Sequence, residues 1–438
     1  MRNLKRALSL ALAAIMLIGM MVVSASAASY NNLTDKDEIV NKDAVSMLVS
    51  LGIIEGKPDG SYGPTENVDR AQMAKMLSVI MNKGVDNSAL YQSVNSGLTD
   101  ITSNWAKGHI NYCYTTGIIA GRGNGTFDPS ATVTALEAAK MLLVAVGYDP
   151  AIEGFEGADW AINVSVRADE QGIFEGFTKD LSAPLNRDDA ALLIYNALDV
   201  EMIQSYTTNN YPIVYSDHRT ILSDKYGVIK VEGVVTANEW AILDDDTDTA
   251  LQEGKTRIYN PDGILSTTGN TAVAQDSSAN VKTQVFNVST PVDMLGKAVT
   301  MYVKKTTILA DSTVYGAPVV SDVNTVIETG EKVTGGDSKD DASLAALLKG
   351  TGLATDKATE YYHNYEEVAI DSADVDDIMN VKGAALTVID NDNDGYVNYV
   401  ISVEKSLTHV SGVSSKNETT TLYGLPGDDV IDNEDIVT

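Results

Sequence analysis

Cysteine is all but missing from this chain: Cys113 is the single one in 438 residues. No intrachain disulfide can form, so a disulfide scaffold is excluded and stability must come from cores, repeats or bound ions. Histidine is scarce as well. The four, at 109, 218, 363 and 409, are too scattered for a zinc site or a triad to be built from spacing. H-E-x-x-H and G-x-S-x-G are absent. Positive charge is short: 31 Lys and Arg stand against 61 Asp and Glu, net −30. A nucleic-acid binder needs a basic footprint, and none appears after residue 6. An anionic membrane would repel such a chain. Phe and Trp are few, five and three, against 20 Tyr. Tyr suits sites where one ring end is buried and the other wet.

Long apolar runs are lacking beyond the N-terminus, so no transmembrane span is expected in the mature chain. The N-terminus itself opens with the basic "MRNLKR", continues through "ALSLALAAIMLIGMMVV" and exits on "SASA", which has the A-x-A form at Ala25 and Ala27. Residues 1–27 therefore read as a secretory signal peptide.

What is present is a repeat. "GIIEG" at Gly52 recurs as "GIIAG" at Gly117 and "GIFEG" at Gly172, each followed by a proline (Pro64, Pro129, Pro184) at the same distance. "LTD" precedes the first two at Leu33 and Leu98. "VDRAQMAKML" (68–77), "VTALEAAKML" (133–142) and "LNRDDAALLI" (185–194) follow, the third arriving three residues early. The units span 30–88, 95–150 and 152–202. Each predicts a helix, a Gly/Pro loop and a second helix. Gly117 is placed to end a first helix. Asp69 and Thr134 read as N-caps of second helices, with Gln72 and Glu137 three residues on as capping-box partners. Cys113 aligns with Leu48 and Ala168 and reads as a small buried hydrophobe. One such unit cannot bury its own apolar faces, but three around an axis can. The expected fold class is α+β multidomain, an N-terminal pseudo-three-fold helical triplet followed by β-rich modules.

Trp-Ala at a first helix start, "GII-x-G", "G-x-F-x-P" and a T-R-A-E-like tetrad together resemble the S-layer homology repeat. The resemblance runs from Leu33 to about Val200. It implies non-covalent anchoring of an exported bacterial protein to a secondary cell-wall polysaccharide, often pyruvylated, with self-assembly into a surface layer as a further expectation. It implies grooves between repeats, formed by the tetrad Arg (Arg70, Arg187), loop glycines (Gly56, Gly121, Gly176) and aromatics at the first helix (Trp105, Trp160). A pyruvate ketal carries a carboxylate, which suits the planar guanidinium fork beside a helix N-terminus. The plainer alternative pairs Arg70 with Asp69 or Glu66, and either Trp could be core. The second unit has Ala135 at the Arg position, and the first has Val40 at the Trp position. The grooves expected to work are those around Arg70 and Arg187.

After Val200 the texture turns to Val/Thr/Tyr-rich runs. "YGVIKVEGVVTA" (226–237) alternates about Val228, Lys230, Glu232 and Val234, as a half-buried strand does. One β-rich module is expected over 205–335, a linker with a short helix over 336–354, and a second module over 355–438. "DNDNDG" (390–395) places Asp390, Asp392 and Asp394 as the first half of a calcium loop does, but the twelfth position is Ile401. A hairpin turn is the simpler reading there and for "DDDTD" (244–248). No cofactor is expected, calcium being the single candidate. Three functions compete: an anchored surface-layer protein, an anchored enzyme such as a glycan hydrolase, and an anchored adhesin. The first is preferred, because no catalytic motif appears.

Overall fold

The computed structural model describes residues 30–243, 250–261, 263–264, 282–304, 312–329, 344–368, 384–404, 409–414, 419–423 and 430–432. The signal-peptide stretch and "DDDTD" lie outside the described residues, as does the linker up to 343. The helices are α1 (Lys42–Ser50), α2 (Arg70–Met81), α3 (Ser88–Tyr91), α4 (Lys107–Thr115), α5 (Ala135–Val146), α6 (Trp160–Glu170), α7 (Arg187–Leu198) and α8 (Leu344–Leu348). No helix among the described residues is long and apolar enough to cross a membrane.

The chain forms two compact units. The first comprises the described residues of 1–232, 261–287 and 300–319, and the second those of 233–260, 288–299 and 320–438. In the first, α1, α4 and α6 end alike. Gly52, Gly117 and Gly172 take φ of +70°, +81° and +70°, the left-handed region that a side chain resists. Each turn lets the next N–H reach back, from Ile53 to Leu48 O, Ile118 to Cys113 O and Ile173 to Ala168 O, at 2.8–2.9 Å. The second helices begin on side-chain caps. Asp69 with Gln72, and Thr134 with Glu137, form complete capping boxes. Asn186 caps α7 by accepting from the Asp189 N–H.

The "LTD" aspartates hold the loops. Asp35 accepts from Tyr62 and Gly63 N–H, both at 2.7 Å, and Asp100 accepts from Phe127 and Asp128 N–H at 2.9 and 2.7 Å. Three backbone hydrogen bonds then close a ring between equivalent positions: Val68 N–H to Leu185 O, Leu185 N–H to Val133 O, and Val133 N–H to Val68 O, at 2.8–2.9 Å. All three residues are buried. The core around them draws on every helix pair, with Met47, Leu48, Met73, Leu77, Ile110, Cys113, Leu143, Val164 and Ile194 all buried.

The strands are β1 (Ile203–Tyr206), β2 (Pro212–Val214), β3 (Val228–Ala237), β4 (Thr256–Tyr259), β5 (Thr283–Phe286), β6 (Ala298–Lys304), β7 (Val314–Val320) and β8 (Thr325–Thr329). They continue as β9 (Glu360–His363), β10 (Glu366–Glu367), β11 (Ala384–Asp390), β12 (Tyr399–Glu404), β13 (His409–Ser414), β14 (Thr419–Tyr423) and β15 (Val430–Asp432). In β3, Val231 and Val235 are buried while Lys230, Glu232 and Val234 are half-buried, and the pairing with β4 slips between Val235 and Ala237. Ile229, Val231, Val235 and Ala237 share the buried face, so the inward positions are the odd-numbered ones and not Val228, Lys230, Glu232 and Val234.

The second unit corrects the expected module boundaries. Its main sheet has the order β10-β9-β12-β11-β8, so β8, expected to belong to a module ending at 335, pairs with β11 (Val388 opposite Ile327). The sheet buries Val388, Val397, Val400 and Tyr361 against Leu344 and Leu348 of α8, the short helix expected in the linker. That apolar face holds both sides of the linker in one core. The β11–β12 connection is the "DNDNDG" turn. Asp390 is buried and accepts from the N–H of Asn393 at 2.8 Å and of Gly395 at 3.1 Å. The carboxylates of Asp390, Asp392 and Asp394 approach within 4.8 Å, but Asp390 is committed to the turn and Ile401 is buried in β12. The geometry is that of a hairpin held by Asx hydrogen bonds.

Candidate functional site: two grooves in the helical unit

The residues singled out from sequence fall into sets that cross repeat boundaries. Arg70 (first repeat), Gly121 (second) and Trp160 (third) line one groove of about 580 Å³. Arg187 (third), Gly56 (first) and Trp105 (second) line another of about 220 Å³. Arg122, Glu137 and Lys140 complete the first groove; Lys57, Gln72 and Lys75 complete the second. The hand-over follows from chain path. Each second helix starts against the next repeat's loop, with Arg70 N–H to Ala131 O at 2.9 Å and Arg187 N–H to Glu66 O at 2.8 Å.

In the first groove Arg70 is only 4 % exposed. Its Nε donates to Phe127 O at 2.9 Å, its Nη2 donates to Ala120 O at 2.8 Å, and the guanidinium lies 4.4 Å from the Phe127 ring centre. Nη1 stands 4.0 Å from Glu137 Oε1. Burial and the neighbouring Arg122 hold its pKa below the ordinary arginine value. Two of its five N–H donors are thus held by loop carbonyls, a clamp on the loop, and Nη1 faces Glu137. Arg122 is more open and donates to Glu137 at 3.2 Å. Lys140 donates to Phe155 O at 2.6 Å and sits 5.6 Å from the Trp160 ring centre. Burial, first among the causes, lowers its pKa. Trp160 is half-buried at the start of α6.

Arg187 repeats the clamp more loosely. It is half-buried, donates to Tyr62 O at 2.8 Å and to Glu55 O at 3.3 Å, and stacks on Tyr62 at 4.7 Å. Lys75 pairs with Glu55 at 3.7 Å, and Lys57 pairs with Glu66. Trp105 precedes α4 by two residues and is 57 % exposed, outside the core.

The third equivalent set has no cation at the matched positions, although Lys179 pairs there with Asp189, the match of Gln72 and Glu137, at 2.5 Å. Ala135 stands for the clamp arginine, Phe177 for Lys57 and Arg122, Leu192 for Lys75 and Lys140, and Val40 for the tryptophan. A Cβ built on Gly176 would lie 3.8 Å from the Leu192 side chain, so the expected loop glycine faces an apolar group there. Ala135, Val40 and the shortened loop therefore concern one groove, not three. Sequence reasoning missed the lysine five residues after the clamp arginine, although "VDRAQMAKML" and "VTALEAAKML" share it and "LNRDDAALLI" does not.

A second missed feature lies behind Trp105. His109 Nδ1 is 2.6 Å from Ser78 Oγ, and Nε2 is 3.7 Å from Asp86. Spacing could not assemble these three residues, yet they are not a catalytic triad. Ser78 is buried and its hydroxyl donates to Lys75 O at 3.0 Å, so it accepts from the imidazole instead of losing a proton to it. Burial, with Asp86 opposing, lowers the His109 pKa below its ordinary value. A depressed folded pKa gives stability present above about pH 6.5 and lost as pH falls through the folded value. Chemical denaturation from pH 7 to 5 should show this loss, and His109→Gln should remove that component.

With this geometry in place, residues 32–74 and 97–139 match the family of the S-layer homology domain. The chain is 28% identical over 270 residues to a cell surface protein of Thermoanaerobacter kivui, covering 61% of this chain and 32% of that one. It is 28% identical over 196 residues to the middle cell wall protein of Brevibacillus brevis, covering 44% and 18%. It is also 30% identical over 173 residues to an amylopullulanase of Thermoanaerobacterium thermosulfurigenes, covering 36% and 9%. The chain spans a third or less of the length of these relatives. The chain is a cell-surface, cell-wall-associated protein carrying S-layer homology sequence in its helical unit.

Proposed function

We propose that the three helix pairs form a pseudo-three-fold S-layer homology triplet that anchors the chain, after export on its signal peptide, to an acidic secondary cell-wall polysaccharide. The β-rich remainder serves as a structural or adhesive outer part of a surface layer, without catalysis. The observation that carries this is the pairing of cations with a tryptophan in two grooves and the joint replacement of those matched residues by Ala135, Phe177, Leu192 and Val40 in the third. A carboxylate on a sugar suits such a place: lysine and arginine supply charge, the indole supplies a face for the ring, and loop glycines let backbone approach. The competing function is a wall-tethered glycan hydrolase, supported by the amylopullulanase among the relatives, although the shared stretch is a small part of that enzyme.

The test is sedimentation of the mature chain with purified cell wall, before and after chemical removal of its secondary polymer. Lys75→Ala/Trp105→Ala disables one groove and Arg122→Ala/Lys140→Ala the other, all outside the buried clamp. Each pair should weaken binding, about tenfold by loss of charge-assisted contacts. All four together should abolish it while circular dichroism stays native. Equal binding to stripped wall would remove the anchoring function.

A further inference from the structure

The loops of the first two repeats make the same turn. The Lys57 N–H donates to Ser61 O at 2.7 Å, and the Arg122 N–H donates to Thr126 O at 2.8 Å. Inside each turn a side-chain oxygen holds the residue two places on. Asp59 Oδ1 accepts from the Ser61 N–H and hydroxyl at 2.9 and 2.7 Å. Asn124 Oδ1 accepts from the Thr126 N–H and hydroxyl at 3.1 and 2.6 Å. In the third repeat Asp180, one place further along, holds Ser182 in the same way at 2.8 and 2.7 Å. The second repeat alone has an amide in this role. Gly125 follows it, and this is the one Asn-Gly pair in the chain.

The geometry points to spontaneous conversion of Asn124 to aspartate in the folded chain, promoted by Thr126. The Gly125 nitrogen, its proton lost to solvent, attacks Asn124 Cγ. A C–N bond closes a cyclic imide, and the side-chain nitrogen leaves as ammonia. Water then opens the imide. Cleavage of the new Cγ–N bond gives aspartate; cleavage of the original backbone bond gives isoaspartate, with the chain running through Cγ. Negative charge develops on Oδ1 during the attack, and both Thr126 donors already point at that atom. The attacking nitrogen is accessible. Gly125 is exposed, a Cβ built on it would meet no atom within 4 Å, and its N–H makes no hydrogen bond among the described residues. The matching Gly60 N–H instead donates to Lys57 O at 2.9 Å. The turn also selects the product. Aspartate keeps both donors on Oδ1, as Asp59 does, and the glycines that follow share one conformation, φ +84° at Gly60 and +81° at Gly125. Isoaspartate would add a methylene to the backbone inside the turn closed by Arg122 and Thr126. Conversion fixes a negative charge on the loop that brings Gly121, Arg122 and Gly123 to the first groove.

The test is peptide mapping by mass spectrometry on the freshly purified mature chain. It is held in mildly alkaline buffer, native and, in parallel, unfolded in guanidinium chloride. The peptide carrying Asn124 should gain about 1 Da on conversion. The native chain should convert about tenfold faster than the unfolded one, the rate equivalent of one net hydrogen bond to the oxyanion. Chromatography separates the two products, and aspartate should exceed isoaspartate in the native chain. Thr126→Val should slow native conversion about tenfold, whereas Thr126→Ser, which keeps the hydroxyl, should not. Circular dichroism checks that each variant is folded. If Thr126→Val does not fold, the native and unfolded parent decide by themselves. Native conversion no faster than unfolded, isoaspartate in excess, or a folded Thr126→Val chain converting at the parent's rate would overturn the inference.

Discussion

An Arg70→Ala protein should be less stable by about 3–5 kcal/mol, the range for breaking a buried, hydrogen-bonded charge site. The carbonyls of Phe127 and Ala120 would lose their donors, each at about 1–3 kcal/mol when no water replaces the partner. The Phe127 ring, itself fully buried, would lose the guanidinium packed on its face. Arg187→Ala removes the same kind of clamp from a half-exposed place, where water can reach the Glu55 and Tyr62 carbonyls; about 1 kcal/mol is expected. Thermal denaturation of the two variants should therefore separate them by roughly 10 °C. Equal melting temperatures would mean that burial does not distinguish the clamps. The same asymmetry makes Arg70→Ala unsuitable for testing ligand binding, since it would perturb fold and groove together.

Gly108→Ala should also be strongly destabilising, by about 2–4 kcal/mol through overpacking against backbone. Helix propensity alone predicts the opposite sign, a gain of about 1 kcal/mol for Gly→Ala inside a helix. Packing decides against propensity here. A Cβ at 108 would lie 2.1 Å from Ser88 O and 2.7 Å from Ser88 C, and neither atom can swing aside as a side chain can. Small local shifts are blocked as well, because Asn111 donates to Tyr91 O and Val94 O at 2.9 Å and Tyr91 meets Tyr112 edge-on at 5.0 Å. Urea denaturation would read the loss directly. A Gly108→Ala protein as stable as the parent would show that α3 is free to move away from α4.

Local features were the legible ones. The left-handed glycines after α1, α4 and α6, both capping boxes and the burial of Cys113 follow from residues within a few positions of one another. The grooves were legible as residues but not as sets. Arg187 meets Tyr62 across 125 positions, and a repeat pattern states equivalence without stating which copy faces which. Arg70 was legible as special but not as buried, since only the fold shows that Phe127 and Ala120 turn their carbonyls toward it. The β half was read least well. β8 and β11 are separated by a long stretch of chain, and no local period reveals that pairing. Ser78, His109 and Asp86 come together for the same reason, through tertiary packing of α2 and α4.

The closed ring of hydrogen bonds through Val68, Leu185 and Val133 has an evolutionary consequence. Because each groove borrows from three repeats, no repeat is an independent module that could be lost or copied with proportional effect. Deleting one would open the ring and dismantle both handholds at once, whereas point changes such as those at Ala135, Phe177, Leu192 and Val40 can retire one groove silently. On the proposed anchoring function, two intact grooves on one block would hold a polymer by avidity, since release requires both to let go before either rebinds. An anchor of that proposed kind would tolerate the decay of its third groove, provided that all three repeats remain in the chain.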